Sequence, residues 1–158
     1  MNRTTLDNLE NPAVWRPDVT VACIVPQSGR FLLVEENVRG ELVLNQPAGH
    51  LEPDESLHDA ALREALEETG WSIELTHLVG VYQWKNGDGH FLRFTFAANP
   101  MRHDAARELD TGILRTLWMT RDEIAASQAR LRSPMVLRGV DDFLAGKRLP
   151  LDTLTSLS

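Results

Sequence analysis

The stretch from Gln46 to Trp71, QPAGHLEPDESLHDAALREALEETGW, decides how the rest of the chain is read. Ser56 stands where a helix N-cap belongs, and Asp59, three residues on, resembles the second member of a capping box with Asp in place of Glu. Gly70 occupies the place of a left-handed C-terminal cap. These signals predict a helix over 57–69. At ~100° per residue with Arg63 at zero, Glu67, Glu64 and Glu68 fall near ~40°, ~100° and ~140°, while Leu62 and Leu66 fall near ~260° and ~300°. The acids are expected to share one face, and Leu62 and Leu66 to anchor the opposite face in the core. Ala60, Ala61 and Ala65 allow close approach to the backbone.

A solvated acidic face is the common fate of helix glutamates, but this arrangement breaks local rules. Residues three or four apart lie ~5–6 Å apart at Cβ. Two carboxylates at that range repel by roughly 1 kcal/mol in water, and more where water is partly excluded. The helix dipole adds a penalty of ~0.3–1 kcal/mol for each acid near the C-terminal end. Only Arg63, at i,i+4 to Glu67, supplies a nearby positive charge. Unresolved local conflict of this kind marks functional sites, and a divalent cation resolves it. Oxygen ligands without a Cys or His cluster suit Mg²⁺, with Mn²⁺ as a substitute, rather than zinc. Mg²⁺ shares its coordination shell with substrate phosphates, which points to a di- or triphosphate.

Outward from the helix the pattern is mostly strand. VTVACIV (19–25), FLLVEE (31–36) and ELVLN (41–45), separated by PQSGR and Arg39-Gly40, predict a small antiparallel meander. After the helix, SIEL and LVGVYQW read as two strands, KNGDG as a turn, and FLRFTFAA as a hairpin partner. GILRTLWM predicts a further strand and TRDEIAAS a short helix. Ser133 with Pro134 opens a last helix running to Gly146. The order suggests an α+β protein with helices on the faces of a mixed sheet. The expected organisation is an irregular arm over 1–18, interrupted by Pro12 and Pro17 with Trp15 pinning it, one domain over 19–151, and a tail over 152–158.

The chain has 158 residues and a formal net charge of −7. That balance argues against a nucleic-acid partner, which calls for a basic patch, but it accommodates a small phosphorylated metabolite or nucleotide bridged by a cation. No apolar run approaches the ~18 residues of a membrane helix, and the N-terminus lacks a signal-peptide core. The single cysteine, Cys23, reads as a buried small hydrophobe in a reducing cytoplasm. The oligomer is left open between monomer and homodimer.

The spacing of Gly49, Glu55, Arg63-Glu64, Glu67-Glu68 and Gly70 resembles the signature box of the Nudix hydrolase family. Ala65 and Trp71 depart from it at two packing positions where bulkier aliphatics and Ile, Leu or Val are usual. VTVACIV, FLLVEE, NQPAGHLE, ETG, QW, FLRF, LRSP and RLPL, in that order, resemble the NudJ-type phosphatase branch of the family. The resemblance implies an α/β/α sandwich around a mixed β-sheet. It also implies metal binding by Glu64, Glu67, Glu68 and the Gly49 carbonyl, with Glu64 beside the activated water and Arg63 orienting the glutamates. Glu55 is assigned to supporting the loop–helix junction. The implied activity is Mg²⁺-dependent release of orthophosphate from nucleoside tri- and diphosphates, and from hydroxymethylpyrimidine diphosphate. The alternatives are a Nudix pyrophosphohydrolase of another nucleoside diphosphate derivative and a non-catalytic nucleotide-sensing module.

Four further residues are candidates for substrate contact, each with a plainer alternative. His50 adjoins Gly49 or is simply exposed. Gln46 bonds substrate or satisfies backbone at a strand end. Trp84 stacks on a ring or packs in the core. Arg93 meets phosphate or forms an ordinary ion pair. Glu108 and Asp110 share a loop in which some family members carry an additional catalytic acid, and the sequence does not choose between them.

Overall fold

The structure, a computed structural model, describes residues 14–157. Most of the expected N-terminal arm, Pro12 included, lies outside the described residues. In chain order the elements are β1 (Asp18–Ile24), β2 (Pro26–Gln27), β3 (Arg30–Val38), β4 (Glu41–Asn45), β5 (Ala48–His50), α1 (Leu57–Thr69), β6 (Trp71–Asn86), β7 (Gly89–His103), β8 (Ile113–Met119), α2 (Arg121–Ala126) and α3 (Met135–Leu144). Short 3₁₀ turns at Gln128–Arg130 and Leu151–Thr153 complete the description.

The central sheet is mixed, in the order β5-β1-β7-β6, with β1 parallel to β7 and the other pairs antiparallel. Strand β1 explains its own composition. Val21 and Cys23, with Val25 just past its end, pack toward the alanines of α1, whereas Ile24 packs toward Ile124, Val136 and Val140 of α2 and α3. A strand buried on both faces reads as a continuous apolar run. Helices on both faces of a mixed sheet make the α/β/α sandwich.

The expected antiparallel meander does not form as such. β3 pairs with β2, β4 and β8 in a second sheet, while both edges of β1 are taken by β5 and β7. The turns within it are as read: Ser28-Gly29 and Arg39-Gly40 have positive φ at both residues, the geometry of tight two-residue hairpin turns. SIEL and LVGVYQW merge into β6, whose pairing with β7 shifts register at Ser72/Ile73, Leu75/His77 and Leu78/Gly80. Bulges absorb the polar interruption between the two segments.

Helix α1 has the expected limits. The Ser56 side chain accepts from the Asp59 N–H at 3.1 Å, and Gly70 closes the helix at φ 75. Among the described residues only this half of the capping box is present at α1, whereas Thr120 and Glu123 form a complete one at α2. The facing of α1 differs from expectation. Leu62 is 38% exposed and Leu66 is half-buried; the buried arc carries Ala60, Ala61, Glu64, Ala65, Glu68 and Thr69. Large leucines would hold the helix away from the sheet, whereas alanines let its backbone come close enough for the glutamates to reach inward.

At the chain ends, Trp15 touches the His90 ring at 4.7 Å yet stays 63% exposed. The expected tail is anchored at its start, because Leu151 and Leu154 pack on the α1 side of the core and His58 Nε2 lies 2.9 Å from the Leu151 carbonyl. Ser133 accepts from the Met135 N–H at 3.2 Å as α3 begins.

Candidate active site

Arg63 organises the site. Its Nε and Nη2 bind Glu55 bidentately at 2.9 and 2.7 Å, and its Nη1 donates to Glu64 at 2.8 Å and Glu67 at 3.1 Å. Nη2 also donates to the His50 carbonyl at 3.1 Å, tying the end of β5 to the helix. A planar fork with several donors suits this role. Hydrogen bonds from Arg63 hold the Glu55 carboxyl below its usual range, and those to Glu55 raise the guanidinium's own pKa. Glu55 also accepts from the Glu52 N–H at 2.8 Å, so it braces the loop against the helix.

The Glu64 side chain lies directly over Gly49. A Cβ on Gly49 would fall 2.1 Å from Glu64 Oε1, so a side chain there would expel the carboxylate. Burial raises the Glu64 carboxyl despite the Arg63 contact. Glu68 is more enclosed; it accepts from the Ala48 N–H at 2.7 Å, and burial pushes its pKa up to about 9.

One carboxylate oxygen from each of Glu64, Glu67 and Asp110 lies within 4.8 Å of the others. Asp110 arrives because its N–H donates to the Glu67 carbonyl at 3.0 Å, docking the β7–β8 loop on the end of α1. A hard dication with oxygen ligands at roughly 2.0–2.6 Å is the kind of ion such a convergence fits. Among the described residues this cluster contains Asp110, while the Glu68 carboxylate is engaged by the Ala48 N–H. Glu108 is exposed on the same loop and outside the cluster.

The four expected substrate contacts divide. His50 is exposed at the rim, 3.7 Å from Asp18. Trp84 is half-buried and lines a cleft with Leu131, Arg132 and Pro134. Gln46 and Arg93 instead lie inside the protein. Gln46 donates to the Val136 carbonyl at 2.7 Å and accepts from Arg93 at 2.7 Å, and Arg93 also donates to Asn45. Among the described residues Arg93 has no carboxylate within salt-bridge distance, its Nε has no partner, and burial lowers its pKa to about 10. In this arrangement their polar groups secure the end of β4 against α3, the plainer alternative for Gln46.

Glu36 was not singled out by the sequence. It sits after the register shift between Glu35 and Glu36 of β3, and the bulge re-aims it. Burial raises its carboxyl, while Arg132, Asn45 and Arg93 pull the other way. The adjacent Glu35 points to the opposite side, where Arg115 and Arg130 hold it low. Two neighbouring glutamates in a strand give no hint of which faces a site.

The NUDIX domain family model matches residues 15–138, and the chain belongs to the Nudix family; it is a Nudix hydrolase. Phosphatase NudJ of Escherichia coli strain K12 is 41% identical over 142 residues, spanning 89% of this chain and 92% of that protein. A solved Nudix hydrolase from Nitrosomonas europaea is 48% identical with a TM-score of 0.88, covering 90% of this chain and 98% of that one. The NUDIX domain of Shewanella oneidensis NrtR, solved with ADP ribose, has a TM-score of 0.69 at 18% identity and shares the fold. Among the described residues no helix is long and apolar enough to cross a membrane.

Proposed function

We propose that this hydrolase releases orthophosphate from nucleoside di- and triphosphates with Mg²⁺ as its cofactor, and that a pyrimidine diphosphate such as hydroxymethylpyrimidine diphosphate is within its range. The observation that carries the reading is the convergence of Glu64, Glu67 and Asp110 on one point at the rim of the domain. Relatedness to Phosphatase NudJ across most of both chains supports the choice of orthophosphate as product.

Glu64, Glu67 and Asp110 would hold the ion, with Glu68 and the Gly49 carbonyl at its margin. A dication bound there supplies neutralisation of the phosphate oxygens and acidifies water. Glu64, held by Arg63 beside Gly49, accepts the proton of the attacking water. Arg63 keeps Glu64 and Glu67 in place through charge-assisted hydrogen bonds and does not itself move a proton. Gly49 leaves room for the Glu64 carboxylate beside the β5 backbone. His50 and Trp84 line the approach for the organic part of the substrate.

The test is product analysis. A nucleoside diphosphate incubated with the protein should yield orthophosphate and nucleoside monophosphate with Mg²⁺ and nothing without it. Pyrophosphate from a triphosphate, or two monophosphates from a dinucleotide as the preferred reaction, would overturn the assignment.

A further inference from the structure

A cleft of about 450 Å³ lies between β6 and α3, within the ~300–1,000 Å³ typical of small-molecule sites. Its apolar walls are Trp84 on one side and Leu131, Pro134 and Leu137 on the other. Trp84 is backed by Phe91, with ring centroids 5.7 Å apart and nearly parallel planes, so the indole is held as a flat surface. The walls suit a planar ring.

The polar groups of the cleft are mostly committed elsewhere. Asp141 is bound by two nitrogens of Arg121 at 2.8 and 3.2 Å, the Ser133 hydroxyl accepts from the Met135 N–H, and Arg138 Nε donates to Asp142 at 3.0 Å. Arg132 differs. Its backbone N–H donates to the Leu44 carbonyl at 2.8 Å, but among the described residues its guanidinium has no hydrogen bond or salt bridge. Leu44, which holds Arg132, lies four residues before Ala48, whose N–H donates to Glu68 at 2.7 Å, so one short segment runs from the cleft wall to the acidic row.

A guanidinium offers donors and no acceptor. We propose that this cleft holds the base of the nucleotide against Trp84 and that Arg132 is a specificity-determining residue that reads acceptor atoms on the base edge. The enzyme then favours bases with a ring carbonyl over those with an amino group at the same position. Hypoxanthine and guanine present a carbonyl and a ring nitrogen that one guanidinium can bridge, whereas adenine presents an amino donor to a donor. Adenine still offers its N7, but the donor that meets its amino group is left unpaired, which is unfavourable. This inference rests on the nucleotide phosphohydrolase reading and adds the base class to it.

The experiment compares inosine and adenosine diphosphates, which differ in the group at C6 and in the N1 proton that accompanies the carbonyl. kcat/KM for orthophosphate release is measured with Mg²⁺ for the natural protein, R132A and R132Q. Quenching of tryptophan fluorescence by inosine and adenosine monophosphates is measured without metal for the natural protein, R132A and W84L. The expected result is a preference for inosine diphosphate of about tenfold or more, falling to within about threefold in R132A and shifting toward adenosine in R132Q, because a carboxamide pairs with adenine. Inosine monophosphate should quench more strongly than adenosine monophosphate, through Trp84 and in an Arg132-dependent way. Equal rates for both diphosphates in the natural protein, or an equal loss for both in R132A as a phosphate contact would give, overturns the proposal. Absence of orthophosphate from either diphosphate, with Arg132-dependent monophosphate binding retained, defeats the hydrolytic reading and leaves the cleft assignment standing. The Arg132 side chain is exposed and serves no internal contact, so circular dichroism should show these variants folded.

Discussion

Gly49 and Glu64 occupy each other's space: a Cβ on Gly49 would sit 2.1 Å from Glu64 Oε1 and 2.2 Å from its Cδ. Gly49 is not among the residues with positive φ, so the glycine is required for room and not for backbone conformation. Gly49→Ala should displace the carboxylate by about 1 Å or more, a misplacement that can cost on the order of 10²-fold in turnover. Steady-state kinetics should show that loss with a far-ultraviolet spectrum like the parent's. Activity within a few-fold of the parent would mean the Glu64 position is immaterial.

Arg63 tests whether the geometry of the fork matters beyond its charge. Lysine keeps the charge but cannot bind Glu55 bidentately while also reaching Glu64, Glu67 and the His50 carbonyl. The Arg63 side chain is only 21% exposed, so solvent screens these contacts weakly. Arg63→Lys should lose about 1.5–3 kcal/mol of stability, the scale of charged hydrogen bonds, together with most of the turnover. Urea denaturation measures the first and product release the second. A parent-like denaturation midpoint would dismiss the brace.

The acidic row should be a liability without metal. Glu64→Gln removes one of the mutually repelling carboxylates, and Glu68→Gln replaces a buried acid with a neutral amide. Both variants should lose turnover and melt at or above the parent temperature in chelator. Millimolar Mg²⁺ should raise the parent's melting temperature by mass action and raise the variants' less. Calorimetric scans with and without the ion decide this, and a parent unaffected by Mg²⁺ and Mn²⁺ alike would remove the metal from the account.

Asp142 carries a pH dependence away from the site. Burial alone would raise its carboxyl, but Tyr82 at 2.7 Å, Lys147 at 3.1 Å and Arg138 at 3.0 Å outweigh burial and hold it below 3.8. A depressed folded-state pKa gives stability that is present above the unfolded value and lost as pH falls through the folded one. Asp142→Asn should therefore destabilise the protein at neutral pH and approach the parent as pH drops below about 4. Denaturant midpoints across that range test it; a pH-independent difference would assign the effect to packing.

Arg93 should behave as a structural cation. Arg93→Ala leaves Asn45 and Gln46 without their donor and opens a cavity, for a cost of about 2–4 kcal/mol. Arg93→Met, which fills similar volume, should cost less. An unchanged denaturation midpoint together with a raised KM would restore the substrate-contact role.

The limits of α1 could be read from Ser56 and Gly70, the hairpin turns from Ser28-Gly29 and Arg39-Gly40, and the acidic anomaly from Glu64, Glu67 and Glu68 alone. Caps, turns and periodicity are short-range properties, decided by residues within about one helical turn, and the spacing that resembles the Nudix signature lies within one continuous stretch from Gly49 to Gly70. Which way that helix faces is not. An amphipathic reading sends Leu62 and Leu66 inward, yet the sheet accepts the alanine side, because close approach of backbone to backbone outweighs burial of two leucines there. Strand partnership was equally out of reach: β1 lies near β3 in sequence, but its edges are taken by β5 and by β7, about seventy residues away.

The sequence by itself determined the local elements and the residue types of the site. Tertiary structure brought Asp110 rather than Glu108 to the end of α1, turned Gln46 and Arg93 into the core, joined two strand segments across bulges and set Arg132 against the end of β4. Each of those outcomes depends on which distant backbone lies alongside, and no periodicity in a linear chain encodes that distance.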